Sequence, residues 1–138
     1  MFALQTWARS GRARGRVLDR LDLRLDEHNV VSPGVMWYAK GRAPARVAEP
    51  PSPMPDIAVE VRSSSAWRYD IGAKKAAYER QGLPELWLVD TAAEGVLVFR
   101  RSARGAPTYD VARELDRRAS LESPLLTAFA ATSTSSIR

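Results

Sequence analysis

The alternation of apolar and polar residues predicts three strands in the first half of the chain. Residues 16–25 (RVLDRLDLRL) alternate over their second half, and residues 30–39 (VVSPGVMWYA) are rich in Val and aromatic residues but interrupted by Pro33 and Gly34. Residues 56–61 (DIAVEV) are mostly apolar, which is typical of a central strand buried on both faces. In this third strand the alternation places Asp56, Ala58 and Glu60 on one face of the sheet and Ile57, Val59 and Val61 on the other.

The second half of the chain predicts one helix followed by further strands. The helix spans about 67–80 and ends at Gly82, and strands are predicted at 84–90, 96–101 and 108–116. Residues 1–15 predict a short helical lead, and the polar tail 131–138 is predicted to be loose. We therefore expect a single domain over 1–138, with its core at about 16–127, built on a mixed sheet with helical cover, that is, an α/β or α+β domain.

Composition narrows the class of protein. A length of 138 residues fits one domain, 45% of the residues are hydrophobic, and the mean hydropathy is -0.30, so we expect a soluble cytoplasmic protein. No apolar run approaches the roughly 20 residues of a membrane span, and the N-terminus lacks the pattern of a signal peptide. The chain has no cysteine and one histidine, His28, so a metal site would rest on carboxylates, which favours magnesium or manganese.

The charge balance is basic and allows two interpretations. A net charge of +5 and a pI of about 10.1 suit a polyanionic partner such as DNA. The chain also contains 18 Arg and only 3 Lys, a bias that genome composition alone would explain. Two of the three lysines, Lys74 and Lys75, are adjacent on the predicted helix, although the chain otherwise nearly always uses Arg.

The spacing of the polar residues on the helix indicates a candidate site. Asp70, Lys74 and Tyr78 are four residues apart and therefore share one narrow arc of the helix. If that arc packs toward the end of the third strand, the Lys74 ammonium approaches the carboxylate of Glu60. Two carboxylates and a lysine are the minimum set for metal-assisted phosphodiester hydrolysis, because carboxylates hold a hard divalent ion and lysine stabilises the developing charge.

A purely structural interpretation of the same residues stays open. Asp70 and Lys74 would then form an ordinary pair on the helix surface worth about 0.3 kcal/mol. Tyr78 would be a core residue, and Glu60 would end its strand in solvent.

A set of motif residues resembles the putative restriction endonuclease family, a branch of the PD-(D/E)XK nuclease superfamily. The resemblance covers roughly 16–127 and is most specific over 55–90. The residues that carry it are Pro55, Asp56, Glu60, Val61, Ser63, Ser65, Asp70, Lys74, Tyr78, Gly82, Pro84, Glu85, Trp87, Val89 and Asp90.

This resemblance implies a fold, an activity and roles for residues. The implied fold is restriction-endonuclease-like, a central mixed β-sheet flanked by helices, and the implied activity is magnesium-dependent cleavage of DNA. Glu60 is implied as a metal ligand and catalytic residue, with Asp56, Asp70 and Tyr78 in support. Many nucleases place the catalytic lysine two residues after the glutamate, where this chain has Arg62. The resemblance implies that in this family the lysine comes from the following helix, which gives the role to Lys74, with Lys75 as the fallback if the register shifts.

Two departures from the family pattern weaken the implied activity. Gly34 stands where the family places a second metal-binding aspartate, after Pro33. Asp56 is a poor replacement because four strand residues separate it from Glu60 by about 13 Å, while Asp26 and Glu27 belong to a preceding turn. The N-terminal region is also shorter than in the family, and a homodimer would cover the flank this exposes.

The residues therefore leave three functional interpretations. The first is a divalent-metal-dependent DNA endonuclease with weakened or lost activity, using magnesium or manganese. The second is a catalytically inactive remnant of the fold that binds DNA or a protein. The third is a decayed gene product without a selected activity.

Overall fold

The structure is a computed structural model that describes most of the chain. The described residues are 2–11, 14–19, 22–24, 27, 30–31, 33–44, 53–62, 67–91, 94–116, 118–126 and 131–132. The side chains of 2, 31, 62, 67–71 and 131–132 lie outside this description. Among the described residues, no helix combines the length and the apolar character that crossing a membrane requires.

The first half of the chain is broken into shorter elements than the pattern predicts. The elements are α1 (Phe2–Arg9), β1 (Arg16–Leu18), β2 (Leu23–Arg24), β3 (Val30–Val31) and β4 (Val35–Tyr38). The strand predicted at 16–25 is thus two strands in different sheets, because β1 pairs with β4 while β2 forms a small antiparallel pair with β3. The strand predicted at 30–39 divides at Pro33 and Gly34, since proline lacks the N–H that a strand ladder needs.

The second half of the chain agrees closely with the predicted elements. It contains β5 (Ile57–Arg62), α2 (Trp67–Arg80), β6 (Glu85–Asp90), β7 (Gly95–Arg100) and β8 (Val111–Leu115). Two short strands follow, β9 (Ser120–Leu121) and β10 (Ala131–Thr132), and they pair with each other. The prediction of a loose tail from 131 is therefore wrong for its first two residues, which backbone pairing with β9 fixes in place. Residues 133–138 lie outside the described residues.

The main sheet has the mixed topology expected for an α/β nuclease-like domain. Its six strands within the described residues run in the order β1-β4-β5-β6-β7-β8. The pair β5–β6 is parallel and connected through α2, while the other pairs are antiparallel. β5 lies inside the sheet between β4 and β6, which confirms the central position predicted from its apolar sequence.

The sheet buries a hydrophobic cluster on each face. α1 and the segment around β9 cover one face, where the buried side chains include Leu4, Trp7, Ile57, Val59, Trp87, Val98, Leu121 and Leu126. α2 covers the other face, where the buried side chains include Met36, Tyr38, Ala58, Ala77, Tyr78, Leu83, Leu86 and Leu88. Glu60 shares the parity of Ala58, so the strand directs it toward the face that α2 covers.

The end of α2 fixes how the helix lies on that face. Gly82 adopts a φ of 84°, the left-handed conformation that a helix C-terminus commonly requires. The N–H of Gly82 donates to the carbonyl oxygen of Glu79 at 3.2 Å, and the N–H of Leu83 donates to the carbonyl oxygen of Tyr78 at 3.1 Å. Leu83 and Tyr78 belong to the same buried cluster. This closing turn holds the inward arc of α2 over β5.

Candidate functional site

Glu60 is a buried carboxylate in the middle of the sheet. Its exposed fraction is 4%, so it does not end its strand in solvent as the structural interpretation of the sequence would have it. The hydroxyl of Tyr78, itself fully buried, donates a 3.0 Å hydrogen bond to Oε1 of Glu60. Burial and the negative charge of Glu60 raise the pKa of Tyr78 well above its usual range. Tyr78 therefore keeps its proton and remains a hydrogen-bond donor to Glu60.

Lys74 faces the second oxygen of the same carboxylate. Its Nζ lies 3.9 Å from Oε2 of Glu60, and the Lys74 side chain is 26% exposed. Because Lys74 and Tyr78 are one helical turn apart, one face of α2 holds the carboxylate through both oxygens. Glu60, Lys74 and Tyr78 are thus brought together as the sequence predicted, with the ammonium group still reachable from solvent.

Lys75 does not share this site. Its Nζ lies 4.6 Å from the ring centroid of Phe99, over the face of the ring. This cation–π contact directs Lys75 toward β7. The fallback register, in which Lys75 replaces Lys74, is therefore not the one that the fold adopts.

Asp56 belongs to a different set of contacts. It precedes β5, where its Oδ1 forms an ion pair with Arg42 and its Oδ2 accepts a 2.7 Å hydrogen bond from the backbone N–H of Ala39. These partners tie the loop after β4 to the start of β5. Asp56 therefore stabilises the start of β5, whereas Glu60 and its partner Lys74 lie toward the other end of that strand.

Gly34, where the resemblance implies an aspartate, directly precedes β4. The first residue of β4, Val35, pairs with Val59, the residue before Glu60 in β5. A Cβ built on Gly34 would lie 3.4 Å from the carbonyl oxygen of Val59 and 3.7 Å from Cγ2 of Val61, with no Glu60 atom within 4 Å. The backbone thus has room for a side chain at this position.

Several predicted residues lie outside the described part of the chain. Asp70 is on α2, but its side chain is outside the description, as are the side chain of Arg62 and the whole of Ser63, Ser65 and Asp26. Glu27 is described and is exposed to solvent.

The described residues fit only part of the metal site that the family implies. They contain no group of three His, Cys, Asp or Glu side chains placed to hold a metal ion. Glu60 is one suitable carboxylate, and both of its oxygens already face donors from α2. Magnesium is usually held by one or two protein carboxylates together with waters and substrate phosphates, so Glu60 alone is the minimum that such a site requires.

Asp90 is a carboxylate near this region that belongs to the motif behind the family resemblance but was assigned no role in the site. It ends β6, and the parallel register pairs it with Arg62 while Glu60 pairs with Leu88. The alternation of β6 gives Asp90 the parity of Leu88, so it lies toward the sheet face of Glu60, two residues further along the neighbouring strand. The position of Asp90 relative to Glu60 follows from the parallel register of β5 and β6.

Comparisons with known proteins agree with this architecture. The model of the Uma2 family, described as "Putative restriction endonuclease", matches residues 1–133. A search of curated protein sequences finds no match to the chain.

Among solved structures, a putative nuclease belonging to DUF820 from Anabaena variabilis is similar, with a TM-score of 0.74 and 13% sequence identity. The match covers 99% of this chain and 74% of that chain. At this identity the likeness shows a shared fold, and it confirms the α/β fold class expected from the sequence.

Proposed function

The chain belongs to the Uma2 family, and from this membership we propose that it is a DNA-directed endonuclease domain whose metal-dependent phosphodiester hydrolysis is weakened or lost. The observation that carries the proposal is the contact of Lys74 and Tyr78 with the two oxygens of Glu60. This arrangement goes beyond an ordinary surface ion pair, because Glu60 and Tyr78 are buried while the ammonium group of Lys74 stays accessible.

Each of the three side chains has a role in this proposal. Tyr78 orients the carboxylate of Glu60, because its hydroxyl donates to Oε1 and keeps its proton. Lys74 supplies the positive charge that binds a phosphate oxygen and stabilises charge developing on it. Glu60 positions the ammonium group of Lys74 and is the protein ligand for magnesium or manganese, a cofactor that stays a proposal.

The weakening follows from the carboxylate count. Glycine at position 34 offers no ligand, Asp56 is occupied by Arg42 and the N–H of Ala39, and Asp90 lies two residues further along the neighbouring strand. The same shortage favours the second candidate function, a catalytically inactive form that binds DNA or a protein. Cytoplasmic location and a homodimer remain predictions that accompany either function.

Plasmid nicking tests the proposal with a matched pair of lysine variants. Supercoiled DNA is incubated with magnesium or with manganese, and the wild type is compared with Glu60→Gln, Lys74→Met and Lys75→Met. We expect slow nicking by the wild type, strongest with manganese, which Glu60→Gln and Lys74→Met abolish. Lys75→Met should retain it, since Lys75 contacts Phe99 and not Glu60.

The other outcomes separate the two candidate functions. If no variant nicks DNA, but a salt-dependent gel shift is weakened by Lys74→Met and not by Lys75→Met, the binding form is favoured. Nicking that survives Glu60→Gln at the wild-type rate would place the chemistry elsewhere and overturn the assignment.

A further inference from the structure

A second cavity lies near the end of the sheet where β6 begins, apart from Glu60. It has a volume of about 520 Å³ and is enclosed by the end of α2, the start of β6, the end of β7 and the loop at 101–107. Glu85 lines the cavity. Glu60 pairs with Leu88, which lies three residues after Glu85 on β6, a separation of about 10 Å along the strand. A volume of this size suits a small-molecule ligand.

Arginines surround this cavity. Arg80, Arg100, Arg101 and Arg104 all line it. Among the described residues, no carboxylate forms an ion pair with Arg80, Arg100 or Arg104 within 4.0 Å. Nε of Arg100 is buried and has no hydrogen-bond partner among them. Because that atom is closed to solvent, a ligand in the cavity would meet Arg100 through the terminal nitrogens of its guanidinium.

The fourth arginine holds the wall of the cavity in place. Arg101 donates 2.6 Å hydrogen bonds to the carbonyl oxygens of Ala106 and Glu79, and its guanidinium lies 5.0 Å from the centroid of the Tyr109 ring. Ser102 donates through its N–H and its hydroxyl to the carboxylate of Asp110. The loop is therefore ordered before any ligand binds, which lowers the entropic cost of binding.

The carboxylates that line the cavity are already engaged. Glu85 accepts hydrogen bonds from Trp87 at 2.5 Å and Ser123 at 2.9 Å. Glu79 accepts one from the N–H of Tyr109 at 2.6 Å, and Asp56 is paired with Arg42. Near the end of α2, the carbonyl oxygen of Tyr78 accepts from the N–H of Leu83, and that of Glu79 accepts from Gly82 and Arg101. These hydrogen bonds do not cancel the carboxylate charges, but the four lining arginines outnumber the three lining carboxylates, so the cavity keeps a positive balance.

The remaining wall is apolar. Pro84, Pro107, Pro124 and Leu125 line it, and Leu125 is 41% exposed. A ligand that suits both walls has a compact anionic group and a flat or apolar body. We propose that this cavity binds a nucleotide, with the phosphate on Arg80, Arg100 and Arg104 and the base against the prolines and Leu125. The nucleotide is either free or one unit of a single-stranded nucleic acid, and this inference does not depend on cleavage at Glu60.

Titration of the full chain with three probes tests this site. The probes are thymidine 5′-monophosphate, thymidine without phosphate, and a short fluorescent single-stranded oligothymidylate. The variants are Arg104→Ala and Arg80→Ala, with Arg113→Ala as the matched control, because Arg113 is exposed on β8 and does not line the cavity. We expect the phosphorylated probes to bind, thymidine to bind much more weakly, and each cavity variant to weaken binding about tenfold, the value of one charge-assisted hydrogen bond.

The outcomes distinguish a free nucleotide from a nucleic-acid strand, and the arginine-lined cavity from the Glu60 site. Binding of the mononucleotide indicates a free nucleotide, and binding of the oligonucleotide alone indicates a strand, provided that Arg104→Ala weakens it and Arg113→Ala does not. Equal affinities for Arg104→Ala, Arg80→Ala and Arg113→Ala would overturn the proposal. Loss of DNA binding in Lys74→Met with unchanged binding in the arginine variants would do so as well, while leaving the Glu60 site intact.

Discussion

The hydroxyl of Tyr78 donates to Oε1 of Glu60 at 3.0 Å, and both side chains are buried beneath α2. The hydrogen bond joins the helix to the central strand and fixes one oxygen of the carboxylate. Tyr109 lies in the same hydrophobic cluster, but its buried hydroxyl has no hydrogen-bond partner among the described residues. Tyr78 and Tyr109 therefore form a matched pair for measuring what a buried tyrosine hydroxyl contributes to stability.

We predict that Tyr78→Phe lowers the free energy of unfolding by about 1–3 kcal/mol, because it leaves a buried carboxylate oxygen without its donor. Tyr109→Phe should cost little or raise stability, since it removes a polar group that has no partner. Urea denaturation of both variants measures the difference. Equal losses would mean that the hydroxyl of Tyr78 contributes nothing beyond the packing of its ring.

The pH dependence of stability should report on Glu85, which is 1% exposed. Burial raises the pKa of Glu85, although hydrogen bonds from Trp87 and Ser123 and the charge of Arg100 act in the opposite direction. A carboxyl whose folded pKa is raised stabilises the protein at low pH, and that stability is lost as pH rises through the folded pKa. Glutamine does not titrate and keeps an acceptor for Trp87 and a donor for Ser123.

The free energy of unfolding of Glu85→Gln relative to the wild type should therefore increase as the pH rises from acidic to mildly alkaline. Urea denaturation across that range measures it. Glu114→Gln is the control, because Glu114 is exposed on β8. Parallel pH curves for Glu85→Gln and the wild type would show that Glu85 is not protonated more readily in the folded state.

Two glycines at α2 should respond in opposite directions to alanine. Gly72 lies within the helix, and a Cβ there would meet no atom within 4 Å, so Gly72→Ala should raise stability by about 0.5–1 kcal/mol. Gly82 also has room for a Cβ, but its φ of 84° strains any side chain, so Gly82→Ala should lower stability by about 1 kcal/mol. Thermal or urea unfolding of both variants is the measurement, and a shift of the same sign in both would contradict the helix end described above.

The sequence predicted the second half of the fold well because its local signals agree with one another. Glycine at 82 marked the end of α2, and the alternation of β5 placed Glu60 on the face that α2 covers. The four-residue spacing of Lys74 and Tyr78 then sufficed to bring both to the carboxylate. These are short-range patterns, which a single sequence carries directly.

The rest depends on contacts between distant residues. The split of 16–25 into β1 and β2 follows from pairing with β4 and β3, which alternation alone does not reveal. The role of Asp56 depends on Arg42, and the preference for Lys74 over Lys75 depends on the Phe99 ring. The position of Asp90 near the candidate site emerges only when β5 and β6 are aligned in register.

In the proposed function, a shortage of carboxylates beside Glu60 weakens cleavage. Plasmid nicking by Gly34→Asp tests it most directly, with Gly34→Asn as a control of equal size and no charge, because the backbone leaves room for a side chain at this position. We expect Gly34→Asp to nick DNA faster than the wild type and Gly34→Asn, and we expect the addition of Lys74→Met to abolish the gain. Equal rates for the Asp and Asn variants, with or without Lys74, would contradict this expectation.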